Sequence, residues 1–481
     1  MKNIVLLMAD QLRMDYMDLV VDGRPLMPNY QRLATEGTVF SECLTSNPIC
    51  TPARASLLTG KYSHQIGMLS MSGDLSQEHP TYPQALQRAG YATAGIGKFH
   101  WLQTWPWGTP RGKGIDLVAL APMLEKYGFD HVWEACGKQL AIANRCDYGA
   151  FLEEKGQLEE FRDHVVSRGR NVDEADRVEF TGEPWPFAEA DYPDIVITDR
   201  MLDWLDTRRQ ADQPFFLFGS LLSPHAPFDP PASYLEKIPL EELDDFITGE
   251  GQAPLDAATK ARMYKLRRAY KAMMAVVDAQ IGRVLDKLES MGVLDDTVVL
   301  FTSDHGEMLG DHGRFQKAIH WTASSRVPAV IRHPDCRGGQ RIASPVELTD
   351  LTATILDIAG VDARQALARP WPAFQDVVPC RSLLPVMRGE TDSIREWAFC
   401  ECRGEWSMVR SAGFAFVRFH RSPNPDQHRE LLFDLRADPC ETRNLVKDPA
   451  YTETVAWHRN RLLHTLETTP PAQTCWAPLM K

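Results

Sequence analysis

Along the chain, short unbroken apolar runs alternate with stretches in which apolar residues recur every three or four positions. Asn3 to Ala9 is one near-continuous apolar run, and Thr93 to Ile96, Phe215 to Leu222, Thr297 to Thr302 and Pro328 to Arg332 repeat the pattern. Runs of this length without polar alternation predict strands covered on both faces, the habit of a parallel sheet. A short helix is predicted over Pro28 to Thr35 and a long one over Asp256 to Ser290. In the long one, Met263, Leu266, Tyr270, Met273, Val277, Ile281, Val284 and Leu288 fall on one stripe, so its methionines read as core rather than as a binding surface. The alternation predicts an α/β fold with a large, mostly parallel central sheet flanked by helices.

The pattern changes near Phe374. Trp397 to Cys402, Trp406 to Arg410 and Phe414 to Phe419 are short alternating strands separated by Arg403-Gly404 and Ser411-Ala412-Gly413, with a last helix near Thr452 to Leu466. The expected organisation is therefore a catalytic domain over 1–375 and a smaller α+β domain, antiparallel sheet plus helix, over 376–481. Two charged spans, Lys155 to Tyr192 and Pro231 to Pro254, read as insertions on that framework.

Composition narrows the function classes. The 481 residues are 44% hydrophobic and 24% charged, enough to form a sizeable core. The 52 basic against 65 acidic residues give a net charge of −13, the wrong sign for a nucleic-acid partner, so any anion must be met by a local cluster of cations. No apolar run is long enough to span a membrane, and the first one is too short for the core of a signal peptide. The 10 cysteines show no zinc-type CxxC pair and no dense framework, which predicts reduced thiols and a cytoplasmic protein.

The chemistry-bearing residues sit where the pattern switches. Cys50-Thr51-Pro52-Ala53-Arg54 is followed by Ala55-Ser56-Leu57-Leu58-Thr59-Gly60. Pro52 suits a first helical turn, which places Cys50 at an amino end favourable to anions, with Arg54 one turn along. Asp10-Gln11 closes the first strand and Asp304-His305-Gly306-Glu307 a later one, so Asp10 and Asp304 fall at carboxyl ends of strands, where open α/β sheets place ligands. Gly97-Lys98-Phe99-His100 and Ser223-Pro224-His225-Ala226-Pro227-Phe228 follow two further strands. Trp101, Trp105 and Trp107 come just after His100, and His320 and Trp321 just after Lys317, which predicts aromatic faces at a pocket mouth suited to a sugar, an aryl group or a quaternary ammonium.

These segments resemble the type I sulfatases of the alkaline phosphatase superfamily, and the resemblance covers nearly the whole chain. Cys50 to Gly60 is similar to their C-x-P-x-R signature, and Arg429 to Pro439 with Glu441 to Leu445 resembles their C-terminal stretch. The resemblance implies that a maturation enzyme converts Cys50 to formylglycine, whose hydrated aldehyde is the nucleophile. It also implies a divalent metal held by Asp10, Gln11, Cys50, Asp304 and His305, and catalytic roles for Arg54, Lys98, His100, His225 and Lys317. His225 would protonate the leaving alcohol, and His100 would help expel sulfate. Trp101, Trp105 and His320 are the expected substrate contacts.

Calcium is the usual metal of the family, where many members carry two adjacent aspartates and an Asp-Asn pair. This chain has Asp10-Gln11 and Asp304-His305, which points towards magnesium or manganese. The same pairs resemble the phosphonate monoester hydrolase and choline sulfatase branches. The expected activity is hydrolysis of a small sulfate ester, a sulfated sugar first. The alternatives are a phosphonate monoester or phosphodiester hydrolase, a choline-sulfatase-like enzyme, and a binding scaffold without catalysis.

Overall fold

The computed structural model describes residues 1–103, 109–167, 182–208, 212–240, 246–369, 376–421 and 429–471. The strands of the main sheet are β1 (Asn3–Ala9), β2 (Thr38–Phe40), β3 (Ala92–Gly97), β4 (His131–Glu134), β5 (Phe215–Ser220), β6 (Thr297–Ser303), β7 (Ala329–Arg332) and β8 (Gln340–Ile342). They form an 8-stranded sheet in the order β8-β2-β7-β6-β1-β5-β3-β4. β1 lies between β5 and β6 and parallel to both, with Ile4 opposite Phe216 and Val298. Only β7 runs antiparallel to its neighbours.

The predicted strands are all present, and their ends have local causes. Leu222 leaves the ladder because its N–H donates 2.8 Å to Asp194 instead. Pro328 has no N–H to give, and β7 begins one residue later. β2, β4 and β8 carry too few residues to show a period, and the outer strands β4 and β8 are mostly half-buried, so no apolar run marks them.

Helices cover the sheet. The predicted short and long helices are α1 (Pro28–Glu36) and α4 (Ala257–Ser290), and between them in sequence come α2 (Cys50–Thr59) and α3 (Pro193–Arg208). α4 packs against α1 and α3. It also supplies the cap that Met27 cannot give α1: the Asp278 carboxylate accepts the N–H groups of Asn29 and Tyr30 at 3.1 and 2.8 Å. Burial pushes that carboxyl up to about 6.

The C-terminal part is a 4-stranded antiparallel sheet of β9 (Trp397–Cys402), β10 (Trp406–Ser411), β11 (Phe414–Phe419) and β12 (Glu430–Asp434). Its alternation divides two clusters. Phe399, Val409, Phe416 and Leu432 pack with Val455 and Leu462 of α5 (Thr452–Thr468), together with Tyr62. Ala398, Cys400, Met408 and Val417 face Leu44 and Ile49 from the chain leading into α2. Of the expected insertions, 168–181 and 241–245 lie outside the described residues.

Candidate active site

Five segments converge at one edge of the main sheet. Asp10-Gln11 follows β1, Lys98 to His100 follow β3, His225 follows β5, Asp304-His305 follow β6, and Cys50 is the first residue of α2. Gly97 lets this happen: its φ is +113°, and a Cβ there would lie 1.8 Å from the Ser220 carbonyl oxygen. β3 and β5 thus stay in contact to their ends, where the Lys98 N–H donates to Ser220 at 3.0 Å. Gln11, His100, Gln316 and Ala318 all have positive φ, a cluster of costly backbone conformations of the kind that gathers at functional sites.

Cys50 is the centre of the convergence. Its Sγ is 3.0 Å from Lys317 Nζ, 3.1 Å from His305 Nε2 and 3.8 Å from Asp10 Oδ1. Burial would raise this thiol, yet Lys317, Lys98 and His305 together push it well below its ordinary value. Lys98 pairs with Asp10. Burial opposes ionisation of Asp10 too, and Lys98, with His225 and Arg54, outweighs it and holds the carboxyl below the usual carboxylate range. His100 is pushed down to about 4 by burial first and then by Lys98, so it is neutral near pH 7. The position is built to hold an anionic atom against cations.

Asp10, Cys50, Asp304 and His305 each bring a ligand atom within 4.8 Å of the others, all buried. The ring orientation fits a metal as well: His305 Nδ1 donates 2.9 Å to the Gly306 carbonyl, so Nε2 faces the cluster and would ligate once it gives up its proton to a bound metal. Two carboxylates, an imidazole and the atom at position 50 suit one divalent cation. Gln11 lines the cavity beside this cluster. Its amide nitrogen donates to Glu307 and its Oε1 accepts from Lys317 Nζ at 2.6 Å.

Three expectations need correction. Arg54 does not face the substrate space: it donates to Asp304 at 2.8 Å, to the Lys98 carbonyl at 2.6 Å and to Ser220 Oγ at 2.7 Å, bracing the ligand carboxylates from behind. Trp101 is only 2% exposed and stacks on Phe99 at 4.9 Å, inside the core. His320 is buried against Trp321, Trp406 and Phe433, where burial pushes it down to about 3. Both rings pack the structure together rather than reach a ligand. Trp105 and Trp107 lie outside the described residues.

A cavity of about 100 Å³ opens over the cluster, lined by Asp10, Gln11, Cys50, Lys98, His100, His225 and Lys317. Beyond them its wall is Lys138, Gln139 and Gln316 together with apolar Met71, Leu140, Leu222 and Ala226. The sequence pattern marked Leu222 and Ala226 only as parts of a strand and a loop, and the others not at all. Lys138 follows a glycine on a loop, and only its pairing with Asp229 and its 3.1 Å contact to Tyr192 reveal it as a built feature. The His225 loop is anchored by buried Asp194, which accepts Ser223 N–H at 3.1 Å and Ser223 Oγ–H at 2.6 Å. His225 Nδ1 lies 2.7 Å from the Ala226 carbonyl, and a proton there leaves Nε2 for the cavity.

Fold and site together define an α/β protein that gathers an activated side chain, cations and a cluster able to hold a metal at the carboxyl ends of its strands. The chain belongs to the sulfatase family. The family model described as Sulfatase matches residues 2–361, and a second, described as N-sulphoglucosamine sulphohydrolase, C-terminal, matches residues 310–468. The chain is 28% identical to an arylsulfatase of Clostridium perfringens, over 97% of this chain and 94% of that one. It is 24% identical to an N-acetylglucosamine-6-O-sulfatase of Bacteroides thetaiotaomicron, over 97% and 86%. In fold it is similar to a phosphonate monoester hydrolase of Agrobacterium radiobacter, with a TM-score of 0.75, 22% identity and coverage of 98% and 96%. The protein is thus an enzyme, a sulfuric ester hydrolase of the alkaline phosphatase superfamily.

Proposed function

We propose that the enzyme hydrolyses the sulfate monoester of a sulfated carbohydrate, with residue 50 in its formylglycine form and one divalent metal. The observation that carries this reading is Cys50 itself, held at the head of α2 among Lys317, Lys98 and His305 at the base of the cavity. A maturation enzyme would convert the cysteine. The hydrated aldehyde supplies two hydroxyls on one carbon, one to attack sulfur and the other to expel sulfate as the aldehyde reforms. Asp10, Asp304, His305 and residue 50 would hold the metal, whose charge favours the anionic oxygens.

The chain's own groups do the rest. Lys98 and Lys317 line the cavity and donate to the sulfuryl oxygens as charge grows on them. His100, neutral because burial pushes it down to about 4, accepts the proton of a residue-50 hydroxyl. His225, with Nδ1–H held on the Ala226 carbonyl, acts in its doubly protonated form, giving the Nε2 proton to the leaving oxygen and becoming the neutral ring. The polar wall of Lys138, Gln139 and Gln316 and the apolar wall of Met71, Leu140, Leu222 and Ala226 suit a sugar, which has hydroxyl edges and apolar faces. Among the described residues no aromatic ring other than the imidazoles of His100 and His225 lines the cavity.

A second reading, a phosphonate monoester hydrolase, is favoured by one observation: His305 stands in the ligand cluster. The deciding measurement has two parts. The mass of the tryptic peptide Leu33 to Arg54 from the native host reports whether residue 50 is formylglycine. On protein so confirmed, the ratio of kcat/KM for an aryl sulfate and an aryl phosphonate monoester separates the readings. A ratio favouring sulfate, followed by turnover of sulfated sugars, supports the first; a ratio favouring the phosphonate replaces it with the second.

A further inference from the structure

Glu307 is 1% exposed, lies three residues past Asp304, and has no part in the chemistry above. Its carboxylate nevertheless touches both arms that reach residue 50. One oxygen accepts the backbone N–H of Leu309 at 3.1 Å and of Gln316 at 2.5 Å, and Gln316 is the residue before Lys317. The other accepts the side-chain amide of Gln11. The far end of that amide accepts from Lys317 Nζ at 2.6 Å, and the same Nζ is 3.0 Å from Cys50 Sγ.

The chemistry of the three groups allows a single orientation. A carboxylate only accepts and an ammonium only donates, so an amide between them must turn its NH₂ to Glu307 and its oxygen to Lys317. The backbone is set for the same purpose. Gln11 has φ 68°, with its N–H on Asp304 at 3.0 Å and its carbonyl accepting Tyr270 O–H at 2.6 Å. Gln316 and Ala318, either side of Lys317, have φ 63° and 70°. Non-glycine residues stay in that region only when held.

We propose that Glu307 is a positioning residue of the hydrolytic site, orienting the Gln11 amide and seating the Lys317 loop so that the ammonium meets residue 50. The inference rests on the hydrolytic reading above and adds the group that aims Lys317. A neutral glutamine at 307 is nearly the same shape, yet it lets the Gln11 amide turn either way and weakens the hold on Gln316 N–H.

A double-mutant cycle in kcat/KM over Glu307→Gln and Lys317→Ala tests this, with thermal melts to confirm folding. Glu307→Gln is expected to lower kcat/KM by about 10–100-fold, as loss of such supporting contacts does. In the Lys317→Ala background it should change little, because its target is gone. An unchanged kcat/KM for Glu307→Gln, or the same loss in both backgrounds, overturns the proposal. If Glu307→Gln does not fold, Gln11→Met takes its place in the cycle; it removes the amide and leaves Glu307 in position, and the same two outcomes decide. The assay uses whichever aryl ester the wild type hydrolyses. Should the wild type turn over neither, the hydrolytic reading fails separately. The cycle is then read in the affinity for inorganic sulfate by calorimetry, where non-additive loss supports the positioning role and additive loss overturns it.

Discussion

Arg54 and Lys317 carry the same charge and do different work. Arg54 is buried and its Nε holds Asp304 at 2.8 Å, so removing it from the metal-free protein leaves a buried carboxylate without its guanidinium partner. Loss of one partner from such a pair costs about 3–5 kcal/mol. Arg54→Ala is therefore expected to lower the urea unfolding free energy by that amount, whereas Lys317→Ala, at the cavity edge, should unfold as the wild type does. The lysine change should instead cut kcat/KM by about 10²–10³-fold, the cost of one charge-stabilising donor. Matching urea midpoints for the two variants would show that the structural division is wrong. Cys50→Ala belongs to the second class: turnover is expected to vanish with the fold intact, and retained turnover would remove the nucleophile from residue 50. The resemblance to the family's segments pointed to Cys50, Lys98, His100, His225 and Lys317, and the fold brings all five to one cavity. Sequence reading missed Glu307, Asp194 and Lys138, whose meaning lies in partners far away in the chain, and it misjudged Trp101 and His320 because adjacency to a motif does not say which way a ring points.

At the scale of elements, the apolar runs predicted β1, β3, β5, β6 and β7 because strands buried on both faces have no polar alternation to disguise them. The edge strands and α3 gave no comparable mark. Neither did the short helix Ser63–Ile66, which one imidazole fastens to the C-terminal sheet and its helix. His64 Nδ1 is 2.7 Å from Glu401 in β9, and its Nε2 is 2.6 Å from the Thr469 carbonyl just past α5. With acceptors at both nitrogens the ring is held protonated: burial opposes this, and Glu401 with the two hydrogen bonds outweighs it and raises the ring above its ordinary value. A histidine raised on folding contributes its full stability below the unfolded value of about 6.5 and loses it as the pH rises through the folded value. Comparing melting temperatures of the wild type and His64→Asn, the gap should be widest below the unfolded value of about 6.5 and narrow as the pH rises through the folded value above it. A gap that does not change with pH would mean that the ring is neutral in the folded protein.

For the whole molecule, the question is whether the two sheets are two folding units. The change in pattern near residue 375 suggests a boundary, and we propose that 1–375 and 376–481 are distinct in architecture. Packing nevertheless crosses that line in both directions. Leu44 and Ile49, the latter just before Cys50, belong to the apolar cluster of β9, β10 and β11, while Val378 to Met387 bury side chains in the core of the main sheet. Polar contacts follow the same course: Arg410 holds Glu42 at 2.8 Å and Thr322 at 2.7 Å, and the Thr322 N–H donates to Glu441 at 2.7 Å. The segment that delivers residue 50 therefore rests on the C-terminal sheet, and that sheet cannot unfold without uncovering Leu44, Ile49 and Glu42. Scanning calorimetry should accordingly show one transition, with turnover lost in the same temperature range. Arg410→Ala should move that transition down as a whole rather than split it, since it strips a cation from half-buried Glu42 at the junction. Two resolved transitions, the lower one leaving turnover intact, would show that the C-terminal sheet is only an appendage to the site.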